Sequence, residues 1–149
     1  MKSIRLAAFA AAAALSFSMP MAAHAQADPF IGGEYVEVTG VKLDDGHYLD
    51  YATFLSGFYK AQEEYAVSQG WETSWEVLSN VHPRKGEPDL YLIRRYKNMV
   101  DGVEGDRRAK MMSDHVKMTD AQMQAASGDR AKFRHIESSM LLQVMTLRK

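Results

Sequence analysis
The chain has 149 residues, with 18 Lys and Arg against 19 Asp and Glu and no cysteine. It is long enough for one domain with a substantial core, and it carries no basic excess that would suit nucleic acid. The absence of cysteine rules out disulfide staples, zinc–thiolate sites and a cysteine nucleophile.

Lys2 and Arg5 flank the start of an Ala-rich apolar stretch at 6–17, and Ala23-His24-Ala25 fits the small-x-small cleavage pattern. Residues 1–25 are expected to be a cleaved signal peptide, too short and Ala-rich to anchor the chain. The product would be periplasmic or secreted, with no membrane association after cleavage. A loose lead-in is expected at 26–33, where Pro29 and Gly32-Gly33 discourage regular structure, ahead of a single domain at 34–149.

Residues 34–43 are rich in β-branched side chains and alternate, predicting strand one, which Asp44-Asp45-Gly46 ends. From His47 the period changes. Tyr48, Tyr51, Ala52, Leu55, Phe58, Tyr59, Gln62, Tyr65 and Ala66 follow helical spacing. They predict an amphipathic helix of about five turns, ended by Gly70. Its aromatic stripe suits packing across a sheet and needs no cofactor to explain it. Residues 71–81 alternate again as strand two. Pro83, Gly86 and Pro88 mark a hairpin loop, in which His82 is a turn residue, and residues 89–97 form strand three. Asp101 and Glu104 cap a helix running toward Asp114. Thr119-Asp120-Ala121-Gln122 has capping-box form and opens a second piece. Ser127-Gly128-Asp129 breaks the pattern, a last short helix is expected at 129–135, and residues 139–147 are strand four.

The order β-α-β-β-α-β is the signature of an α+β, ferredoxin-like fold with a four-stranded antiparallel sheet, in strand order 4-1-3-2. Helices cover one face of such a sheet. Strand four carries apolar residues on both faces, Met140, Leu142 and Val144 on one and Leu141, Met145 and Leu147 on the other. The second face then needs a cover, and a second subunit is the economical one, giving a homodimer.

This element order, with its long aromatic first helix, resembles the dimeric α+β barrel superfamily. That group includes NIPSNAP-like and antibiotic-biosynthesis monooxygenase-like domains. The resemblance spans about residues 34–147 and rests on order and patterning. The segments Glu76-Val-Leu-Ser-Asn-Val and Gly86-Glu-Pro-Asp-Leu-Tyr-Leu-Ile fit an exported branch of it. It implies two sheets facing each other across a dimer around a central cavity, and it carries no catalytic signature onto these residues.

Strand parity then proposes a site. With Val36 and Val38 set toward the helices, Glu37 faces the partner sheet. Trp75 and Val77 on the helix side leave Glu76 inward, and Leu90 and Leu92 leave Tyr91 and Arg95 inward. Met140, Leu142 and Val144 on the helix side leave Gln143 inward. Gln143, Glu37, Arg95 and Glu76 would form one polar row, with arginine's fork serving two carboxylates. Arg94 would snorkel at the sheet's edge, and a one-residue slip would exchange it with Arg95. Glu37, Glu76, Tyr91, Arg95 and Gln143 are therefore the candidate ligand-binding residues; the same row could equally be an ion-pair network that fixes the dimer.

Met111, His115 and Met118 fall at i, i+4 and i+7, a soft donor set that suits copper if one helix carries all three. His115 or His135 could serve a haem. Flexible core methionines and helix-end histidines explain the same residues without a metal. The leading expectation is an exported homodimer that binds a small, mostly apolar molecule between its sheets. The alternatives are a cofactor-free monooxygenase-type enzyme in that cavity, a copper- or haem-binding protein, and a structural protein without ligand.

Overall fold
In the computed structural model residues 28–149 are described. The expected signal peptide at 1–25, with its cleavage site, lies outside the described residues.

The strands are β1 (Phe30–Leu43), β2 (Ser74–Ser79), β3 (Leu90–Tyr96) and β4 (Arg134–Leu147). They form one antiparallel sheet in the order β2-β3-β1-β4. This strand order is the one expected, and the architecture is α+β and compatible with a ferredoxin-like fold. β1 starts earlier than its alternation suggested. Phe30–Gly32 pair with Met145–Leu147, so this part of the lead-in belongs to the sheet despite its glycines. β1 tolerates them because the register shifts between Gly32 and Tyr35, and again between Gly40 and Val41. At Gly40 a Cβ would collide with Pro88 and Ser138, so glycine lets the hairpin loop and β4 close on β1.

The first helical region is one continuous rod. Helix α1 (Tyr48–Phe54) passes through a π turn (Leu55–Tyr59) into α2 (Lys60–Ser68). The second region is two helices, α3 (Gly102–Val116) and α4 (Asp120–Arg130), so the element order departs from the simple β-α-β-β-α-β expected. Asp101 caps α3 through the Glu104 N–H at 2.9 Å. Lys117, at φ 55°, turns the chain left-handed after α3. The capping box at Thr119 then starts α4, with Thr119 N–H on Gln122 Oε1 at 2.8 Å and Gln122 N–H on Thr119 Oγ1 at 3.2 Å. The break expected at Ser127-Gly128-Asp129 does not occur, since α4 runs to Arg130. Residues 129–135 form no separate helix: the chain turns there, with Phe133 N–H on Arg130 O at 3.1 Å, and enters β4.

The core is Val41, Tyr51 and Leu90, all buried, with Leu43, Phe54, Val77, Leu92 and Phe133 packed around them. It joins the start of the helical rod to the β1–β3–β2 part of the sheet. Among the described residues no helix is long and apolar enough to cross a membrane.

Leu90→Ala should cost about 2–5 kcal/mol by leaving a cavity between Val41 and Tyr51. Val103→Ala, on an 80% exposed position of α3, should change stability by less than about 0.5 kcal/mol. Urea denaturation of both variants measures the contrast.

Candidate functional site
Cross-strand neighbours share a face, so the register fixes which side chains lie under the helices. Glu37 pairs with Arg94, Thr39 with Leu92 and Val41 with Leu90, while Trp75 and Val77 of β2 sit opposite Arg94 and Leu92. These residues share the face of Val41 and Leu90, the sheet side on which Tyr51 of α1 packs. The opposite face carries Val36, Val38, Ile93, Arg95, Tyr91, Glu76, Leu78, Met140 and Leu142.

The polar row expected from parity is thus split between two faces. Tyr91, Arg95 and Glu76 lie on the open face as expected, and Arg95 Nη2 meets Glu76 Oε1 at 3.3 Å. The second carboxylate on Arg95 is Glu34, at 3.6 Å, and not Glu37. Glu37 lies under the helices, bonded by Arg94 Nη2 at 3.0 Å and by the Tyr96 hydroxyl at 2.9 Å. Gln143 pairs with Tyr35, on the same side as Glu37, and donates from Nε2 to Gly33 O at 3.1 Å. The parity assigned to β1 and β4 is therefore reversed. Placing Val36 and Val38 toward the helices assumed that an apolar pair marks the covered face. Here Arg94 and Tyr96 together make a carboxylate acceptable there.

Around Glu37 the helices and the sheet border a cavity of about 680 Å³ that is partly open to solvent. Its walls include Phe54, Tyr59, Trp71, Leu92, Met112 and Ile136, and its polar lining includes Glu63, Glu72, Arg94, Tyr96, Arg130 and Arg134. Two local features bring the acids inside. In the π turn the Lys60 N–H reaches back to Leu55 O, inserting one residue into the helical period. The buried residues downstream are Tyr59, Glu63 and Ala66, with Gln62 half-buried beside them on the cavity wall. At the end of α2, Gly70 adopts φ 68° and Trp71 N–H bonds Ala66 O at 3.0 Å. Thr73 N–H then bonds Arg95 O at 2.8 Å, so Glu72 is fixed between two backbone anchors before β2 begins.

Glu63 and Glu72 are only 5% and 7% exposed and lie within hydrogen-bonding reach of each other. Glu63 Oε2 and Glu72 Oε2 are sealed from solvent without a donor. Two adjacent carboxyls satisfy each other only when one holds a proton, which one then donates. Burial, with the neighbouring Glu63 charge adding to it, pushes Glu72 up to about 8. Burial also raises Glu63, against the Glu72 hydrogen bond and the charge of Arg94. The Tyr59 hydroxyl is buried without a partner, and burial reinforced by Glu63 holds its pKa above the ordinary range. Burial opposes the charge on Arg94, but Tyr96, Glu37 and Glu63 outweigh it and keep Arg94 firmly protonated.

The soft donor set expected on one helix is divided by a helix end. α3 ends at Val116, and Met118 lies beyond the left-handed Lys117, so Met111, His115 and Met118 do not share one helical face. His115 stacks on Tyr65 with ring centroids 3.8 Å apart, and Met111 Sδ accepts from Arg107 at 2.8 Å. His135 is a β4 residue whose Nε2 meets Asp44 Oδ1 at 3.0 Å, not a helix-end residue. Neither histidine lines the cavity.

The residues that build the cavity's polar lining were mostly missed from sequence. Glu63 sits one place beyond the predicted stripe, and no residue pattern announces a π turn. Strand parity sets Arg94 at the sheet's edge, whereas it lines the cavity. Comparison with protein-family models, with curated proteins and with solved structures finds no match.

The unfolded Glu72 carboxyl titrates near 4.5 and the folded one near 8, so between those values the folded state holds the extra proton. This contribution to stability is complete below about pH 4.5 and is lost as pH rises through about 8. The slope approaches about 1.4 kcal/mol per pH unit. Glu72→Gln should flatten that slope and be the more stable protein at pH 8. Chemical denaturation of both proteins from pH 5 to pH 9 measures the difference.

Proposed function
We propose that this is an exported protein that binds a small, mostly apolar molecule in the cavity between its helices and the inner face of its sheet. The observation that carries this reading is the cavity itself. A volume of about 680 Å³, walled by aromatic and aliphatic side chains with a few buried polar groups, has the anatomy of a small-molecule site. This moves the binding site expected from sequence from between two sheets to beneath the helices. Glu37, Arg94 and Tyr96 then orient a ligand, while Glu76, Tyr91 and Arg95 belong to the outer face.

The outer face supports the second part of the proposal, a homodimer of the α+β barrel kind. Leu78, Met140, Leu142 and Val144 there are each 38–49% exposed, around the buried Val36 and Ile93. Such an apolar sheet face suits burial against its own copy. The Arg95–Glu76 and Arg95–Glu34 pairs would lie within that interface and set its register.

One observation favours an enzymatic reading in the same cavity. Glu72, titrating near 8 inside a ligand-sized pocket, has the protonation behaviour of a general acid–base group. Turnover of a candidate substrate that Glu72→Gln abolishes while binding persists would establish it.

Native mass spectrometry of the exported protein should find a dimer that carries additional small-molecule mass. Ala66→Phe, which fills the cavity wall, should remove that mass and leave the dimer intact. Leu142→Asp should yield monomers that still carry it. A wild-type chain that is monomeric and bare under the same conditions would contradict both parts.

A further inference from the structure
We propose that the cavity's ligand carries a carboxylate head, gripped by Arg130 and Arg134, with an apolar body along Phe54, Leu92 and Ile136. The inference rests on the binding reading above and deepens it.

The two arginines stand at either end of the turn that joins α4 to β4, and both line the cavity. Arg84, Arg94, Arg95, Arg107 and Arg108 each meet a carboxylate within the chain. Among the described residues, neither Arg130 nor Arg134 does. Asp129, beside Arg130, pairs with Lys132 at 2.8 Å, and Asp44 pairs with His135, beside Arg134, at 3.0 Å. Arg134 Nε is sealed from solvent with no acceptor, and its Nη2 reaches only Ser127 Oγ, at 3.5 Å. The Arg130 guanidinium lies 3.9 Å from the Phe54 ring centroid, a cation–π contact on the cavity wall. Burial, and then the charge of Arg134, pull Arg130 below its ordinary pKa.

Placing two like charges together costs free energy that an anion between them returns, and the planar forks of arginine match a carboxylate. The charge of the remaining lining sets the sign of the ligand. Glu37 pairs with Arg94, and Glu104 is shared between Arg107 and Arg108. Burial raises both Glu63 and Glu72, so this pair does not offset Arg130 and Arg134 in full. The lining is left net positive. An anion with an apolar body meets that charge; a lipophilic cation does not.

The test compares dodecanoate, dodecanol and dodecyltrimethylammonium as probes for the exported protein. Isothermal calorimetry and the fluorescence of Trp71, which lines the cavity, report binding. Dodecanoate should bind at least about tenfold more tightly than the other two. The double variant Arg130→Gln, Arg134→Gln should lose that preference and keep its affinity for dodecanol. Arg130→Met alone should lose most of it, which guards against misfolding of the double variant. Equal binding of dodecanoate and dodecanol by the unaltered protein, or a preference that survives both substitutions, overturns the carboxylate assignment and leaves the cavity a binding site. Failure of all three probes to bind overturns the binding reading and this assignment together.

Discussion

A carboxylate on the helix-covered face of an interior strand must be met by donors, and the hydrogen-bonded pairing of Glu37 with Arg94 meets that demand. β1 is central in the sheet, so whatever Glu37 faces is decided for both neighbouring strands at once. Arg94 and the Tyr96 hydroxyl come from β3 on the same face and take both oxygens of Glu37. With that arrangement in place the inner face cannot close onto an apolar helix as a continuous hydrocarbon layer. The core is confined to the Val41–Tyr51–Leu90 end, and beyond it the helices stand off from the sheet around a partly polar cavity.

The acids that complete that lining arrive through departures from regular structure. One inserted residue in the π turn rotates Glu63 inward, and the left-handed Gly70 sends Glu72 to meet it. Each departure has a cost, since π turns are rare and a buried carboxyl pair is stable only with a proton to share. Costs of this kind gather where a cavity needs chemistry that a packed core does not supply.

Both faces of the sheet mix polar and apolar residues. The face under the helices holds Glu37 and Arg94, whereas the outer face presents Val36, Val38, Ile93, Met140 and Leu142. Arg95, with Glu34 and Glu76, forms a charged seam on that apolar surface. Strand three ends in two adjacent arginines because its last residues serve both faces. One arginine supports the inner cavity and the other marks the outer surface.

Composition and periodicity by themselves determined the α+β class, the four strands and both helix-opening caps in the second helical region, while the strand order was expected from the fold that the element order suggests. These depend on local signals: β-branched alternation, helical spacing, and a Thr119–Gln122 capping box that forms between residues three apart. They also determined that β3 sets Leu92 and Arg94 against Tyr91 and Arg95, because alternation along one strand needs no partner. Which face lies under the helices was not local. For β1 and β4 the choice between Val36 and Glu37 depended on Arg94 and Tyr96, residues about sixty positions away, which offset the burial of a carboxylate. The meeting of Glu63 with Glu72, and of Arg130 with Arg134 on the cavity wall, followed from a π turn, a left-handed glycine and the turn between α4 and β4. Only the packed structure decided these, because a charged side chain is admitted to an interior by its neighbours and not by its own place in a pattern.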